Sequence, residues 1–176
     1  SVGILAFLIL TNKVDEKFIE IRKNIIDNVD IIDQIQYLDS GVIVANYPLE
    51  GNESVIGYNI LADSATSLEA ALAIEKRQLF FAGPLILKQG GKGIVARQPL
   101  FIDNEFTGFA VVIIEWQKFK DKVFKGFQDN PEFTVDLFKN SPPGATKNSL
   151  LSSDFTLADG PLKEIEVPQG NWIIQV

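Results

Sequence analysis

Apolar and charged residues alternate with a helical period near the start of the chain. Between Asp15 and Ile32 the apolar residues are mostly three or four positions apart, with charged residues between them, and they are Phe18, Ile19, Ile21, Ile25, Ile26, Val29 and Ile32. This spacing places the apolar side chains on one side of an α-helix. The pattern therefore predicts an amphipathic helix over Asp15 to Ile32.

The pattern then changes to that of a β-hairpin. Residues Ile35 to Tyr47 are rich in apolar and β-branched side chains, and Asp39, Ser40 and Gly41 interrupt them. These three residues are typical of a tight turn, in which glycine accepts backbone angles that other residues avoid. The sequence predicts two short strands around this turn.

A second helix is predicted after a loop that covers Leu49 to Leu61. Either Asp63 or Ser64 can cap the start of this helix, and its body runs from Leu68 to Arg77.

Further strands follow the second helix. Three of them are rich in β-branched and aromatic residues. The first runs from Leu79 to Phe81 and on through Leu85 to Lys88, the second covers Ile94 to Leu100, and the third covers Phe109 to Glu115. Their connections have hairpin length, so we expect an antiparallel sheet. A third helix and three weaker strands are predicted over Gln117–Phe127, Phe133–Phe138, Lys163–Val167 and Trp172–Val176.

The order of these elements predicts an α+β fold. The predicted order is a helix, two strands, a second helix and three strands, and this order is typical of PAS-like domains. We expect an antiparallel sheet, an N-terminal amphipathic helix and helices packed on one face of the sheet. At 176 residues the chain fits a single domain. Within it we expect a PAS-like core over about residues 33–116 and a C-terminal extension over 117–176.

Composition excludes several function classes. With 16 basic and 23 acidic residues the formal net charge is -7, which disfavours binding to nucleic acid and to anionic lipid. The chain contains no histidine and no cysteine, the residues that most often serve as general bases, thiol nucleophiles and zinc ligands. We therefore expect no catalytic residues, no metal and no cofactor, and a carboxylate-based hydrolase ranks last among the possible functions.

The glycine-rich segment Gln89 to Gly93 is interpreted as a β-turn. A phosphate-binding loop would need a lysine followed by serine or threonine, and a helix after it. Here the lysine is followed by glycine, and the next element is a predicted strand.

Arg97 is the one charged residue in an otherwise apolar strand. Strand alternation places Val95, Arg97 and Pro99 on the same face of the sheet. A half-buried arginine needs a carboxylate or phosphate partner, supplied by the protein or by a ligand. An internal salt bridge, or a guanidinium that reaches solvent, is the alternative explanation.

Several short motifs occur in order between Tyr47 and Trp116. They are Tyr47-Pro48-Leu49-Glu50-Gly51-Asn52-Glu53, Ile56-Gly57-Tyr58-Asn59-Ile60-Leu61, Gly83-Pro84, Gln89-Gly90-Gly91, Gly93-Ile94-Val95-Ala96-Arg97, Gln98-Pro99-Leu100-Phe101 and Gly108-Phe109-Ala110. Together they resemble the CHASE domain, the extracytoplasmic sensor domain of bacterial diguanylate cyclases and histidine kinases and of plant cytokinin receptors. The resemblance covers roughly residues 15–176 and is strongest in the middle of the chain.

The resemblance implies a non-catalytic domain that senses a small molecule outside the cytoplasm. Its parent would be an inner-membrane receptor of the diguanylate cyclase or histidine kinase type, with flanking transmembrane helices and a cytoplasmic output domain. It also implies a homodimer that forms through the N-terminal helix. The chain is accordingly expected to be one segment of a larger receptor.

By motif position, the resemblance also implies a ligand pocket along two neighbouring strands. The ligand-binding residues that it points to are Phe81, Leu85, Leu87, Val95, Arg97 and Pro99. The plant members carry threonine where this chain has Arg97. We therefore expect a ligand with a carboxylate or another anionic group in place of cytokinin.

A protein-interaction or dimerisation module without a small-molecule ligand is the alternative function. An enclosed cavity with converging polar groups would favour sensing, whereas a strand face filled by phenylalanine side chains would favour the alternative.

The apolar run Gly3 to Leu10 is too short to cross a bilayer as a helix. It is either the start of a core helix or a stub beside a membrane span.

Overall fold

The computed structural model describes residues 23, 25–128, 135–139, 149–151, 164–166, 169–170 and 172–175. The chain divides into two compact units, with the boundary after Trp116. The apolar run Gly3 to Leu10 and the first part of the helix predicted over Asp15–Ile32 lie outside the described residues.

A five-stranded antiparallel sheet forms the first unit. Its strands are β1 (Ile32–Asp39), β2 (Val42–Tyr47), β3 (Phe80–Ile86), β4 (Lys92–Ile102) and β5 (Glu105–Glu115). They lie in the order β2-β1-β5-β4-β3, with antiparallel pairing between neighbours. The predicted α+β fold with an antiparallel sheet is confirmed.

The β1–β2 hairpin also follows the prediction, but the element before it does not. Ser40 and Gly41 form the turn with φ angles of 49° and 92°. The helix was predicted to continue through Ile32, but it ends earlier. Residues 25–28 are helical, and Ile32 is already the first residue of β1. Ile32 pairs with Ile114 of β5, so this sheet pairing decides the conformation of a residue that fits both patterns.

Helix α1 (Ser67–Lys76) packs on one face of the sheet through small side chains. Ala70 and Ala73 are fully buried and join an apolar cluster that includes Phe80 and Phe109. Because alanine ends at Cβ, the helix backbone approaches the sheet closely here. The helix predicted from Leu68 to Arg77 is confirmed to within one residue at each end.

A second apolar cluster lies on the opposite face of the sheet. Its buried members are Ile35, Ala96, Leu100, Ala110 and Val112. Ile25 and Ile26 pack against this cluster, so the helical residues 25–28 cover the face that α1 does not.

The second unit begins at Gln117, in the first turn of helix α2 (Trp116–Gln128). This helix directly follows β5 in the sequence. Strands β6 (Asp136–Lys139), β7 (Glu164–Glu166) and β8 (Trp172–Gln175) form a three-stranded antiparallel sheet in the order β6-β8-β7. Asp136 is buried, and its Oδ1 accepts hydrogen bonds from the Leu137 amide and the Ser149 hydroxyl, each at 2.7 Å. None of the helices that the structure describes combines the length and the apolar character needed to cross a bilayer.

Gly108 allows the central strand β5 to pass close to the backbone of β1. Its φ is +156°, and a Cβ atom at this position would overlap the backbone oxygen of Leu38. Gly108→Ala must therefore push two paired strands apart. We expect it to lower the free energy of unfolding by about 3 kcal/mol or more, measured by urea denaturation.

Gly90→Ala is the matched control for Gly108→Ala. Gly90 also has a positive φ, +98°, but nothing lies within 4 Å of a Cβ atom placed there. Only the conformational penalty then remains, about 1 kcal/mol. If the two variants lost equal stability, the close approach to Leu38 would not be the cause of the sensitivity at residue 108.

Candidate functional site

A cavity of about 180 Å³ lies on the face of the sheet that α1 covers. Strands β1, β4 and β5 form its floor, and the segment between β2 and α1 and the β3–β4 hairpin form its walls. The polar side chains that line it are Gln36, Tyr58, Asp63, Thr66, Lys88, Gln89 and Arg97. Ile86 lies at the rim and is 80% exposed, so the cavity opens to solvent.

Arg97 lies in the floor of this cavity. On β4 it is paired with Phe80 of β3 on one side and with Val111 of β5 on the other. Its side chain is only 3% exposed. Strand pairing on both sides therefore fixes where the guanidinium can lie.

The guanidinium of Arg97 is left with hydrogen-bonding capacity inside the cavity. Its buried Nη1 atom makes no hydrogen bond to any of the described residues. Burial lowers the pKa of Arg97 to about 10, against the opposing electrostatic effects of Glu69 and Tyr58. The side chain is thus positively charged at neutral pH. Since a buried charged donor without a partner is costly, an anion in the cavity would be bound favourably.

Tyr58 and Asp63 form a hydrogen-bonded pair on the wall between β2 and α1. The Tyr58 hydroxyl donates to Asp63 Oδ2, and the Ala65 amide donates to Asp63 Oδ1 at 2.8 Å. These two donors hold the pKa of Asp63 below its usual value. Burial and the hydrogen bond to Asp63 raise the pKa of Tyr58. At neutral pH the pair is a carboxylate and a neutral phenol.

Neutral amides connect the cavity to the edges of the sheet. Gln36 Nε2 donates to Asn46 Oδ1 at 2.9 Å, and Asn46 Nδ2 donates to the Pro48 carbonyl at 2.6 Å. On the β3–β4 hairpin, Gln89 Nε2 donates to Gln34 Oε1 at 2.9 Å. This last bond holds the tip of the hairpin against β1.

The groups in the cavity are suited to binding. The Thr66 hydroxyl donates to the Ile60 carbonyl at 2.6 Å, so its proton is bound to a backbone acceptor and not to a general base that would make it a nucleophile. Within the described ranges no group of three or more His, Cys, Asp or Glu residues could hold a metal ion. A cation, a carboxylate and hydrogen-bonding side chains remain as the chemistry that the site offers.

The cavity brings together four of the residues predicted for ligand binding, which are Leu85, Leu87, Val95 and Arg97. Phe81 lies elsewhere: it is paired with Ala96 and packs in the cluster on the opposite face of the sheet. Pro99 shares the face of Arg97 but lies opposite Phe109, outside the cavity lining.

Tyr58 and Asp63 are cavity residues that the hydrophobic pattern does not identify. The prediction that Asp63 or Ser64 caps the helix is wrong, because α1 begins at Ser67 with Thr66 at its N-cap position. Asp63 instead accepts the amide of Ala65, in the segment before the helix. The pattern does not show that the segment before α1 folds over the sheet. The motif Ile56 to Leu61, on which the family resemblance partly rests, contains Tyr58 and is the signal that could have located this wall.

A comparison with family models gives a match to the CHASE domain over residues 9–149. The match includes the whole segment from Tyr47 to Trp116 that carries the motifs, and it confirms the resemblance. No curated protein matches the chain.

Several solved structures share the fold at low sequence identity. An extracellular ligand binding receptor from Desulfohalobium retbaense DSM5692 matches with a TM-score of 0.62 and 16% identity, over 92% of this chain and 33% of the receptor. This chain thus spans a third of that protein. The ligand-binding domain of the Pseudomonas aeruginosa PAO1 amino acid chemoreceptor PctC, in complex with GABA, has a TM-score of 0.59 and 14% identity, over 99% of this chain and 87% of that one. The sensory domain of the Campylobacter jejuni chemoreceptor Tlp3, with isoleucine bound, has a TM-score of 0.58 and 11% identity, over 99% and 80% of the two chains.

Arg97→Met tests whether the buried guanidinium stabilises the fold. Methionine fills much of the same volume but removes a buried charge with an unsatisfied donor. We expect the free energy of unfolding without ligand to stay within about 1 kcal/mol of the wild-type value, or to rise, in chemical denaturation. A loss of about 3–5 kcal/mol, typical of a broken buried ion pair, would show that Arg97 serves the fold.

Proposed function

This chain belongs to the CHASE domain family, and from that premise we propose that it is the extracytoplasmic, small-molecule-sensing domain of a bacterial transmembrane signalling receptor. The ligand binds in the cavity on the α1 face and undergoes no chemistry there. Arg97, Leu85, Leu87 and Val95 are the proposed contact residues.

The observation that carries this proposal is the buried guanidinium of Arg97 at the cavity floor. Replacing buried charged groups with apolar side chains of similar volume often leaves a protein equally stable or more stable, so packing alone does not account for an arginine here. The unsatisfied Nη1 atom instead suits a ligand with a carboxylate or another anionic group, which arginine can bind with two parallel hydrogen bonds.

The cavity also favours sensing over the alternative of an interaction module without a ligand. Phe80 and Phe109 are buried in the apolar cluster on this face, but they do not line the cavity, whose volume of about 180 Å³ is lined mainly by aliphatic and polar residues. Concave sites with mainly apolar walls and a few converging polar groups are typical of small-molecule binding.

The family and the proteins that share the fold support a setting outside the cytoplasm. Among the latter are an extracellular ligand binding receptor and two chemoreceptor domains with small molecules bound. We place this domain outside the cytoplasm, in an inner-membrane receptor of the diguanylate cyclase or histidine kinase type. The catalytic output then lies in a separate cytoplasmic domain of the parent.

Signalling requires that the ligand prefer one of two arrangements of the receptor. The N-terminal helix is the proposed dimer contact, and its described residues 25–28 pack on the sheet through Ile25 and Ile26. A ligand that draws the cavity walls together would shift the sheet against this helix. The change would then pass to the membrane through the helix pair.

Arg97→Gln should abolish binding of any small anionic ligand. At a ligand concentration about a hundred times Kd, the wild-type protein should gain roughly 5–10 °C in Tm. Differential scanning fluorimetry with acetate, succinate, phosphate and a set of amino acids measures the gain. In Arg97→Gln the gain should vanish, and Arg97→Lys should keep only part of it because lysine lacks the planar fork.

Arg77→Gln is the control for charge removal. Arg77 is exposed, stacks on the Phe101 ring at 3.8 Å from its centroid and does not line the cavity, so its loss should leave every ligand effect in place. A ligand that stabilises Arg97→Gln as much as wild type would overturn the proposed role of Arg97.

Val29→Cys tests the proposed dimer. Val29 follows the helical residues 25–28, is 39% exposed, and the chain has no cysteine of its own. If two copies pair along this helix, the variant should form disulfide-linked dimers in non-reducing electrophoresis. Glu105→Cys, at the exposed start of β5, should not. The dimer would be contradicted if both cysteine variants ran as monomers in electrophoresis and had a monomeric mass by light scattering.

A further inference from the structure

The cavity carries charges of both signs on two different elements. Arg97 lies on floor strand β4, and Asp63 lies on the wall segment before α1. We propose that the ligand is a small amino acid, whose carboxylate binds Arg97 and whose ammonium group binds Asp63. This inference rests on the proposed sensing function and narrows it to one class of ligand.

Asp63 is held in place as an acceptor. The Tyr58 hydroxyl and the Ala65 amide each donate to a different carboxylate oxygen of Asp63. A carboxylate oxygen can accept two hydrogen bonds, so both oxygens keep capacity for the N–H groups of an ammonium ion. Because these two donors already fix the side chain, less conformational entropy is lost when a ligand binds.

Tyr58 connects the two charged residues into one site. Its phenol donates to Asp63 and also interacts electrostatically with Arg97. Since all three side chains line the same small volume, a single ligand with two opposite charges can reach both ends.

Lys88 also lines the cavity, and its ammonium group acts electrostatically on Asp63, so the ammonium group of a ligand would bind Asp63 beside this resident cation. Its side chain is exposed, and its Nζ lies 5.5 Å from the centroid of the Tyr58 ring, at the distance of a cation–π contact. Lys88 together with Arg97 would suit a dianion. A dicarboxylate is therefore the competing ligand that the experiment must include.

The apolar part of the cavity lining favours a ligand with a short aliphatic side chain. This part is formed largely by Leu38, Ile43, Val55, Val95, Val111 and Ile113. The volume of about 180 Å³ is below the roughly 300–1,000 Å³ of pockets for drug-sized ligands. A metabolite with two charged groups and a small apolar body fits these constraints.

The test compares amino acids with the matched acids that lack the amine. Suitable pairs are L-valine with 3-methylbutanoate, L-alanine with propanoate, and 4-aminobutanoate with butanoate, and succinate represents the dianions. Isothermal titration calorimetry measures each affinity with the wild-type protein. We expect at least one amino acid to bind about tenfold or more tightly than its amine-free partner, because only the amino acid can pair with Asp63.

Asp63→Asn assigns this preference to the carboxylate. Asparagine removes the charge but keeps one oxygen that can accept the Ala65 amide, and its Nδ2 can donate to the Tyr58 hydroxyl oxygen in place of the present bond. It should weaken binding of the amino acid about tenfold or more and change the affinity of the amine-free acid by no more than about twofold. Asp103→Asn is the matched control: it removes the same charge from an exposed turn outside the cavity and should alter neither affinity.

Four results would overturn this inference: no probe binds, succinate alone binds, the amine-free acid binds as tightly as the amino acid, or Asp63→Asn lowers both affinities equally. The comparison of matched acids uses wild-type protein, so it stands even if Asp63→Asn fails to fold. The two proposals also fail separately. Binding of an amine-free acid that needs Arg97 would leave the sensing function intact, whereas ligand binding that survives Arg97→Gln would overturn the proposed role of Arg97.

Discussion

A charged guanidinium buried on an apolar sheet face is the constraint on which the first unit depends. Because β4 is paired with β3 and β5 on its two sides, Arg97 must lie on this face, where it is almost fully buried. If the segment before α1 packed directly on the floor with apolar side chains, the charge would lose its remaining hydration without gaining a partner. Polar residues and an open volume above Arg97 avoid that cost, and they also create the cavity.

Strand β1 connects the two faces of the sheet. Gln36 faces the cavity, while its neighbour Ile35 packs in the cluster that Ile25 and Ile26 join on the opposite face. This arrangement follows directly from the alternation of side chains along a strand. A change at the cavity floor therefore needs to cross only one strand to reach the residues next to the N-terminal helix.

Local sequence patterns predicted most of the helices and strands. They could not predict which side chains meet in the cavity, because long-range packing decides that. The turn at Ser40 and Gly41, helix α1 and the position of Arg97 all follow from short-range spacing. Phe81 was expected in the pocket, but its pairing with Ala96 places it on the other face. Asp63 gives a cap signal that depends on its immediate neighbours. Its place in the cavity depends on how a loop folds over a sheet whose other strands lie far away in the sequence.

Two of the hydrogen bonds at the edges of the cavity join uncharged groups. Gln89 bonds to Gln34, and Gln36 bonds to Asn46. Bonds between neutral amides are little affected by dissolved salt or by pH near neutrality, whereas attraction between separated charges is screened as ionic strength rises. These two contacts would thus hold equally well in dilute and saline surroundings, and a change in salinity would act mainly on how tightly a charged ligand is held.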